Sequence, residues 1–487
     1  MEARAKIPPG LPRPNPTVSY WQDPPSAIAD LRSTQDLPRS ADHVIIGSGI
    51  SGAFVAYNIL QRTSQARVVL LEARQACSGA TGRNGGHTKA ASYRSFVDHE
   101  KHHGLDEAVK IARMEFANIR ATHAFAARYN IDCDSNPCDT VDIIYDRGHL
   151  ESGRTAIEHM QQTMGSDDPA AGYKVYSAKE ATAMFLTPGA LGAFQYPAGS
   201  INSYKFTIGV LRLCLQRELN LQTNTPALSI APSASHDQPS WTIQTARGEI
   251  ATPNLILATN GYTPHLLAQT QGLIVPLRGQ ITAQRPGSKL PPAGLPTTYS
   301  FIYENGYEYM IPRPPGTAHA GDIVIGGGLG RLPNDGASEF GETDDAAVHP
   351  ALSGYLTNCT AGYFGENWGQ DDADGRVRRE WSGIMGSSAD GLPYVGPVPG
   401  EPGLWMSASF NGHGMVLCLK CAEALVGRML GGETERRELE GWFPQTLWMS
   451  EERMERKFVG RLNQKAPGEA EFGEREKEGR SGWNREC

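Results

Sequence analysis

Short apolar runs and a turn between them set the first structural expectation. Residues 42–46 and 68–71 are mostly apolar and rich in β-branched side chains, which is typical of strands buried on both faces of a parallel sheet. Between them, residues 47–52 predict a tight turn and residues 53–61 a helix. The order strand, turn, helix, strand predicts a βαβ unit near the start of the chain.

Helical spacing dominates the next long segment. Apolar residues such as Ala108, Ile111, Ala112 and Phe116 recur at helical intervals, so residues 97–129 are predicted to form one helix. Further helices and strands follow from the same patterns. The predicted helices are 204–219 and 415–430, and the predicted strands are 241–245, 255–258, 307–311, 323–326 and 405–407, of which 307–311 and 323–326 belong to an antiparallel sheet.

Length, charge and cysteine usage narrow the class of protein. A chain of 487 residues suits two intertwined domains, and a net charge of -8 argues against a nucleic-acid partner. No apolar run reaches the length of a membrane span, and the proline-rich start lacks the apolar core of a secretory signal. The eight cysteines are too scattered for a disulfide framework. We therefore expect a cytoplasmic protein without a membrane partner.

The predicted turn carries a dinucleotide-binding fingerprint, with Gly47, Gly49 and Gly52 in the spacing G-x-G-x-x-G and Ile50 and Ser51 between them. The first glycine permits the turn, the second lets the main chain approach a pyrophosphate, and the third lets the helix pack on the strand. Glu72 ends the next strand 20 residues later, where an acid binds ribose hydroxyls. This fingerprint alone does not distinguish NAD from FAD.

Further motifs resemble the D-amino-acid-oxidase-like family of FAD-dependent oxidoreductases, most closely its gamma-glutamylputrescine-oxidase-like members. Residues 78–87, with the run G-A-T-G-R-N-G-G, resemble the family's second flavin loop, and residues 409–415 resemble its C-terminal flavin loop. Residues 257–262 resemble the strand end below the flavin, and residues 390–396 match D-G-L-P-x-x-G. The matches follow the family's order from about residue 42 to 430.

The resemblance implies an α/β fold in which a Rossmann-type FAD-binding domain is interleaved with an α+β substrate domain built on an antiparallel sheet. We expect an N-terminal arm (1–39), an FAD-binding domain (40–95, 196–264 and 376–432), a substrate domain (96–195 and 265–375) and a charged, peripheral C-terminal tail (433–487). The fingerprint and the resemblance together imply these FAD-binding residues: Gly47, Gly49, Ile50, Ser51, Gly52, Glu72, Ala73, Arg74, Thr81, Arg83, Asn84, Gly85, Gly86, Ala227, Ala258, Thr259, Gly261, Asn411, Gly412, His413, Gly414 and Met415.

Residues for covalent flavin attachment are missing from the matching places. Arg83 stands where covalently flavinylated relatives carry a histidine, and residues 381–386 contain no cysteine. Cys77 and His87 lie nearby, but we interpret them as ordinary loop residues. FAD is therefore expected to be bound non-covalently.

Substrate recognition departs from that of the family's amino-acid oxidases. Met385 stands where those enzymes carry an arginine that grips the substrate carboxylate, and a thioether cannot bind a carboxylate. An amine is the favoured substrate, although Arg278, Arg313 or Arg83 could supply a clamp from elsewhere. The substrate-pocket candidates are Met385, Tyr307, Tyr309 and Arg313, with Tyr303 as a further aromatic neighbour.

The expected reaction is oxidation of a C–N bond of a small amine, with oxygen as electron acceptor and hydrogen peroxide as product. Residues 322–327 lack the oxygen-activating lysine of sarcosine-oxidase-like relatives, so a dehydrogenase, a biosynthetic oxidase acting on an amino acid or on C–O or C–C bonds, and a non-catalytic flavoprotein remain alternatives. The catalytic base and the oligomeric state stay open.

Two other clusters receive a structural interpretation. His99, His102 and His103 with Glu100 suggest metal ligands, but no second cluster completes a site, so we expect a solvated helix end and no metal. Cys418 and Cys421 form C-x-x-C inside a predicted helix and are interpreted as buried helix cysteines.

Overall fold

A computed structural model describes residues 1–233 and 241–460 of the chain. The strands in these residues form three sheets. In chain order they are β1 (His43–Ile46), β2 (Val68–Leu71), β3 (Asn136–Ile144), β4 (Lys174–Ser177), β5 (Gly192–Ser200), β6 (Asn220–Gln222), β7 (Ala227–Pro232), β8 (Trp241–Thr245), β9 (Gly248–Thr252), β10 (Asn254–Leu257), β11 (Ile274–Gln284), β12 (Thr298–Tyr303), β13 (Gly306–Pro312), β14 (Ile323–Gly327), β15 (Val377–Ser388), β16 (Tyr394–Pro397) and β17 (Leu404–Ala408).

The first sheet has the order β16-β17-β10-β1-β2-β6 and is parallel except for the pair β16–β17. Its central strand β1 is buried along its whole length, as the continuous apolar run predicts. Ile46 lies level with Leu71 of β2 and with Leu257 of β10. The carboxyl ends of three strands therefore meet at one edge, which is where parallel α/β sheets bind ligands.

The helices cover this sheet and the flanks of the second one. In chain order they are α1 (Glu2–Ala5), α2 (Ile50–Arg62), α3 (Phe96–His103), α4 (Leu105–Arg128), α5 (Arg147–Met164), α6 (Ala178–Phe185), α7 (Ser203–Leu215), α8 (Thr263–Leu266), α9 (Pro350–Phe364), α10 (Cys418–Leu430), α11 (Glu433–Trp442) and α12 (Glu451–Met454). None of the helices in the described residues is both long and apolar enough to cross a bilayer.

Several predicted helices have different limits in the structure: 53–61 is α2, which begins at Ile50, and 204–219 is α7, which ends at Leu215. Residues 97–129 form two helices, α3 and α4, because Gly104 adopts a φ of +86°, which no α-helix accommodates. The last predicted helix begins at Cys418 rather than Met415, since Gly414–Val416 forms a separate 3-10 turn. Cys418 and Cys421 are buried in α10, as the sequence predicted.

The second sheet has eight strands in the order β15-β11-β14-β13-β12-β3-β5-β4, all antiparallel except β12–β3. This arrangement of a parallel sheet and a separate antiparallel sheet confirms the predicted fold class. The domain limits stay a prediction, and two of them do not coincide with the limits of the sheets. β15 pairs with β11 along its length, although the boundary at residue 376 assigned it to the FAD-binding domain, and the boundary at residue 196 divides β5.

The segment after α10 is packed against the body of the protein. Phe443 and Leu447 are buried, and Arg453 is 5% exposed. The Arg453 guanidinium forms an ion pair with Asp390 of the D-G-L-P motif at 2.8 Å and donates to the carbonyl of Pro393. The prediction of a peripheral tail is therefore wrong for residues 443–458, which Arg453 anchors to the buried D-G-L-P turn, whereas α11 before them buries only Leu439. Residues 461–487 lie outside the described residues.

Removal of the buried carboxylate at this anchor should destabilise the protein strongly. Asp390→Ala leaves the Arg453 guanidinium buried without its anion, which costs about 3–5 kcal/mol. The measurement is urea unfolding, in which the midpoint should fall markedly. Glu433→Ala is the matched control, since its partner Arg437 is solvated and exposed pairs contribute about 0–1 kcal/mol. Equal, small shifts for both variants would contradict the anchoring role.

Candidate active site

A cavity of about 320 Å³ lies between the carboxyl edge of the parallel sheet and one face of the eight-stranded sheet. Its walls come from the β1–α2 turn, the end of β2, the loop after it, the strands β13 and β15, and residues 412–415. These segments are far apart in sequence, so the site exists only when both domains are assembled.

The glycine turn adopts the geometry that the fingerprint requires. Gly47 has a φ of +108°, and a Cβ there would lie 2.5 Å from the Ala258 carbonyl oxygen. A Cβ on Gly52 would lie 1.9 Å from the Gly47 carbonyl oxygen, so Gly52 permits helix packing and does not line the cavity. Gly49, Ile50 and Ser51 bring the N-terminus of α2 to the cavity wall, where N–H groups without a partner inside the helix and the helix dipole favour a phosphate.

Glu72 is buried at the end of β2 and is held by the main chain. One carboxylate oxygen accepts from the N–H and hydroxyl of Ser48 at 3.0 and 2.6 Å, and the other accepts from the N–H of Arg74 at 3.0 Å. A carboxylate offers about four acceptor positions, so capacity for a ribose hydroxyl remains. The same side chain therefore stabilises the turn and faces the cavity.

The second glycine-rich loop is fixed by hydrogen bonds from both sides. Thr81 Oγ1 accepts from the N–H of Ile50 at 3.0 Å, and Asn84 Oδ1 accepts from the N–H of Gly86 at 2.7 Å. Thr81, Asn84 and Gly85 line the cavity, whereas Gly86 does not. A Cβ on Gly85 would lie 2.6 Å from the Tyr309 ring, so the missing side chain lets Tyr309 pack directly on this loop.

Arg83 lines the cavity but is bound on the other side by the N-terminal arm. Its Nε donates to the Ser382 carbonyl at 2.6 Å, and its Nη2 donates to Thr17 Oγ1 at 2.5 Å. Burial lowers the pKa of its guanidinium to about 10, an effect that Asp345 at 3.7 Å partly offsets. Arg83 therefore holds the arm and β15 together and is not available as a substrate clamp.

The C-terminal loop is anchored through two asparagines. Asn411 does not line the main cavity; its Oδ1 accepts from the N–H of Ser388 at 2.8 Å. Asn260, which sequence reasoning did not select, lines the cavity and accepts from the N–H of Ser409 at 3.0 Å. These hydrogen bonds fix the loop so that the main chain of its remaining residues faces the cavity. The lining residues of this loop are Gly412, His413, Gly414 and Met415.

The predicted substrate wall is partly assembled. Met385, Tyr307 and Tyr309 line the cavity, and the Met385 sulfur would lie 3.3 Å from a Cβ on Gly412. Arg313 does not line it, because its guanidinium forms an ion pair with Asp134 at 2.8 Å. Tyr307 and Tyr309 alternate along β13 and both line the cavity, and their contact with substrate stays a prediction. The pairing of Arg313 with Asp134 could not be read from the sequence.

Two cations that sequence reasoning missed line the cavity. Lys89 and Arg94 follow the second glycine-rich loop, in a stretch without strand or helical periodicity. The one feature of the sequence that could have indicated these two residues is their position a few residues after that loop. Arg278, a clamp candidate, is held by Glu339 at 2.7 Å and does not line the cavity.

Candidate attachment residues are unsuited to bond formation. Cys77 is buried away from the cavity, and burial raises the pKa of its thiol strongly. Cys418 lines the cavity, and burial likewise keeps its thiol protonated by raising its pKa. The Nε2 of His87 is bonded to Thr298 Oγ1 at 2.6 Å. Because only a thiolate is an effective sulfur nucleophile, non-covalent FAD binding stays the prediction.

The wall contains buried polar atoms without a partner among the described residues. They are the Tyr262 hydroxyl and the Nε2 of His265, both on the segment that follows β10. Buried polar groups are almost always hydrogen-bonded, so these atoms are suited to a polar ligand. Among the remaining predicted cofactor residues, Gly261 does not line the cavity but approaches the Met385 carbonyl. The others line the cavity: Ala73, Arg74, Ala227, Ala258 and Thr259.

The fold and the cavity are those of a dinucleotide-binding α/β protein, and comparison with known proteins identifies its family. The family model of FAD dependent oxidoreductases matches residues 42–428. The chain belongs to that family, the D-amino-acid-oxidase-like one that its motifs resembled. The helix N-terminus, Glu72 and the two unpartnered polar atoms fit FAD, so the cofactor prediction is confirmed at the level of the family.

Similar proteins include enzymes with different substrates. Glycine oxidase of Pseudomonas aeruginosa is 28% identical over 39% of this chain and 45% of its own length. Gamma-glutamylputrescine oxidoreductase of Escherichia coli is 23% identical over 86% of this chain and 90% of its own length. The solved structure of L-proline dehydrogenase from P. horikoshii matches with a TM-score of 0.63, 18% identity, and coverage of 84% and 98%. The chain spans about half the length of the first curated relatives it matches.

Replacement of Glu72 should weaken FAD binding. Glu72→Ala removes a charge-assisted hydrogen bond to ribose, worth about 1.5–3 kcal/mol, and loosens the Ser48 turn, so the FAD dissociation constant should rise about tenfold or more. The measurement is fluorescence titration of the apoprotein with FAD. Glu249→Ala, at an exposed position on β9, is the control. An unchanged constant for Glu72→Ala would show that Glu72 does not bind the ribose.

Proposed function

We propose that this chain oxidises a C–N bond of a small amine and that oxygen is the electron acceptor. The observation that carries the proposal is the position of Met385 beside Gly412 in the wall of the cavity. At this place the wall presents a thioether, which suits the alkyl part of an amine and would leave a carboxylate unpaired. The names of the similar proteins specify glycine, proline and gamma-glutamylputrescine, all of which contain an amine nitrogen.

The charges around the cavity favour the reactive form of such a substrate. Lys89 and Arg94 both line the cavity, and Asp142 is the carboxylate that acts on each of them. Two cations facing one carboxylate leave excess positive charge, which lowers the pKa of a bound ammonium group. A neutral amine, which can release electrons from nitrogen, is therefore the form that this wall stabilises. Tyr307 and Tyr309 supply an aromatic surface for its carbon atoms.

Water and oxygen are the other reactants, and with them the atoms and electrons of the proposed reaction balance. When bound, FAD supplies a two-electron acceptor for the C–H bond next to the nitrogen. The amine becomes an imine, which water hydrolyses to a carbonyl compound and a free amine or ammonia. Oxygen takes up the two electrons and two protons and leaves as hydrogen peroxide.

Lys89 supports oxygen as the acceptor. Its ammonium group is buried, contacts Asp142 and donates to Ser300 Oγ at 2.5 Å, so it is fixed in place. Desolvation lowers the pKa of Lys89, against the opposing effect of Asp142. Negative charge develops on oxygen as it is reduced, and a fixed cation in a dry cavity stabilises that charge. Lys89 would thus activate oxygen in place of the lysine that sarcosine-oxidase-like relatives carry and that residues 322–327 lack.

Anaerobic flavin reduction should discriminate among substrates. Putrescine and an N-acylated diamine should bleach the flavin at least about tenfold faster than glycine or D-alanine, because burying an unpaired carboxylate beside Met385 costs several kcal/mol. Stopped-flow absorbance is the measurement. Met385→Arg should shift the preference toward amino acids, and Met385→Leu, of similar volume, should not. Rapid bleaching by D-alanine with none by the diamines would overturn the assignment of an amine substrate.

Replacement of Lys89 should slow the reaction with oxygen selectively. Lys89→Met combined with Asp142→Asn removes both charges without leaving either unpaired. Reoxidation of the reduced enzyme should slow about tenfold or more, equivalent to 1.4 kcal/mol of lost stabilisation, while anaerobic reduction by the amine changes much less. Stopped-flow mixing with aerated buffer is the measurement. If the wild-type enzyme reacts with artificial acceptors but not with oxygen, it is a dehydrogenase.

A further inference from the structure

Three residues of the N-terminal arm, Gly10, Leu11 and Pro12, line the main cavity. Leu11 and Pro12 are half-buried, and Gly10 is exposed, so this cover segment (residues 10–12) has the cavity on one side and solvent on the other. The family model matches residues 42–428 and does not include it. The cover segment is therefore a wall of the cavity that this chain adds to the part it shares with the family.

The chain is fixed on both sides of the cover segment. Before it, the side-chain amide of Gln271 donates to the carbonyls of Ala5 and Ile7 at 2.7 and 3.2 Å. After it, the N–H of Thr17 donates to the carbonyl of Asp345 at 2.8 Å. These two anchors hold the cover segment in place along the cavity.

Proline is the main component of the stretch that contains the cover segment. Five of the nine residues 8–16 are proline, and these residues belong to no helix or strand. Proline fixes φ and restricts the chain even when it is unfolded. The stretch therefore loses little further backbone freedom when it lies against a ligand.

The cover segment lies on the side of the cavity where the ribose is expected. The carbonyl of Arg13, the next residue, accepts from Arg74 Nη1 at 3.0 Å, and Arg74 follows Glu72 by two residues. The Arg74 guanidinium also binds both carboxylate oxygens of Asp345 at 3.0 Å. Arg74 and Asp345 thus tie the cover segment to the end of β2.

The arm continues from there to the second glycine-rich loop. Ser19 Oγ donates to the carbonyl of Gly82 at 2.7 Å, and Trp21 Nε1 donates to the carbonyl of Asn84. Trp21 is buried, so this attachment is part of the core. The arm is therefore bound to two separate walls of the same cavity.

We propose that the cover segment is part of the FAD site, where it covers the ADP half of the bound cofactor and slows its release. Leu11 and Pro12 contribute apolar side chains, and burying apolar surface against a ligand is favourable in proportion to its area. Release of FAD then requires that these contacts be broken and that the segment be displaced between its anchors. The inference rests on FAD as the cofactor and is independent of the substrate and the electron acceptor.

Hydrogen exchange tests this contact in the unsubstituted full chain. Mass spectrometry follows peptides that contain residues 10–13 in the apoprotein, with FAD, and with ADP at a concentration that occupies the site. Both ligands should slow exchange of the cover segment. Equal exchange with and without FAD overturns the proposal, and protection by FAD without protection by ADP overturns the assignment to the ADP half.

The rate of FAD release tests the effect of the cover segment on binding. Leu11→Ala combined with Pro12→Ala removes the apolar side chains and leaves both anchors, so release should be about five- to tenfold faster than in the wild type. The measurement is the rise of free-flavin fluorescence after dilution of the loaded protein.

Val18→Ala is the matched control for this variant. Val18 belongs to the same arm, is 52% exposed and does not line the cavity, so its replacement should leave the release rate unchanged. An unchanged rate in the double variant, or an equal acceleration in Val18→Ala, overturns the proposal. The exchange experiment needs no substitution and decides the question if the double variant is unstable.

Discussion

The close approach of main chain to main chain at the end of β1 is the constraint on which the rest of the structure depends. Gly47 lies against the Ala258 carbonyl and Gly52 lies against Gly47, and neither contact tolerates a Cβ. This packing brings the N-terminus of α2 to the edge where three parallel strands end.

Hydrogen bonds connect the β1–α2 turn with its neighbours and fix the loops of the cofactor site. Glu72 binds the turn through Ser48, and Thr81 accepts from the first N–H of α2, so the second loop is aligned with the helix that faces it. Asn260 then fixes the start of the C-terminal loop. The cofactor site is therefore a product of main-chain geometry, whereas the substrate side is formed by side chains of the eight-stranded sheet and can vary independently. That division agrees with the different substrates named for the similar proteins.

The cofactor half of the site could be predicted from the sequence because it rests on local rules. A glycine spacing, an apolar run and an acid 20 residues later describe contacts within one βαβ unit, whereas the other cofactor loops were predicted from the resemblance to a known family. Gly104 is visible in the sequence, but a glycine alone does not predict that a helix breaks there, since glycine also occurs inside helices.

Long-range contacts could not be predicted in the same way. The membership of β15 in the second sheet depends on pairing with β11, about a hundred residues earlier. The burial of Arg453 depends on Asp390, and the removal of Arg313 from the cavity depends on Asp134. Whether an arginine is a clamp or a structural anchor is decided by its ion partner, which sequence spacing does not reveal.

A crystal structure of the purified protein with FAD would show where the cofactor lies and which way round it binds. We expect the adenosine end beside Glu72 and Ala227, the pyrophosphate at the N-terminus of α2, and the flavin ring beside Gly85, Tyr309 and Met385. We also expect no bond between the flavin and Cys77, His87 or Cys418. Electron density for FAD in the reverse orientation, or outside this cavity, would contradict the account.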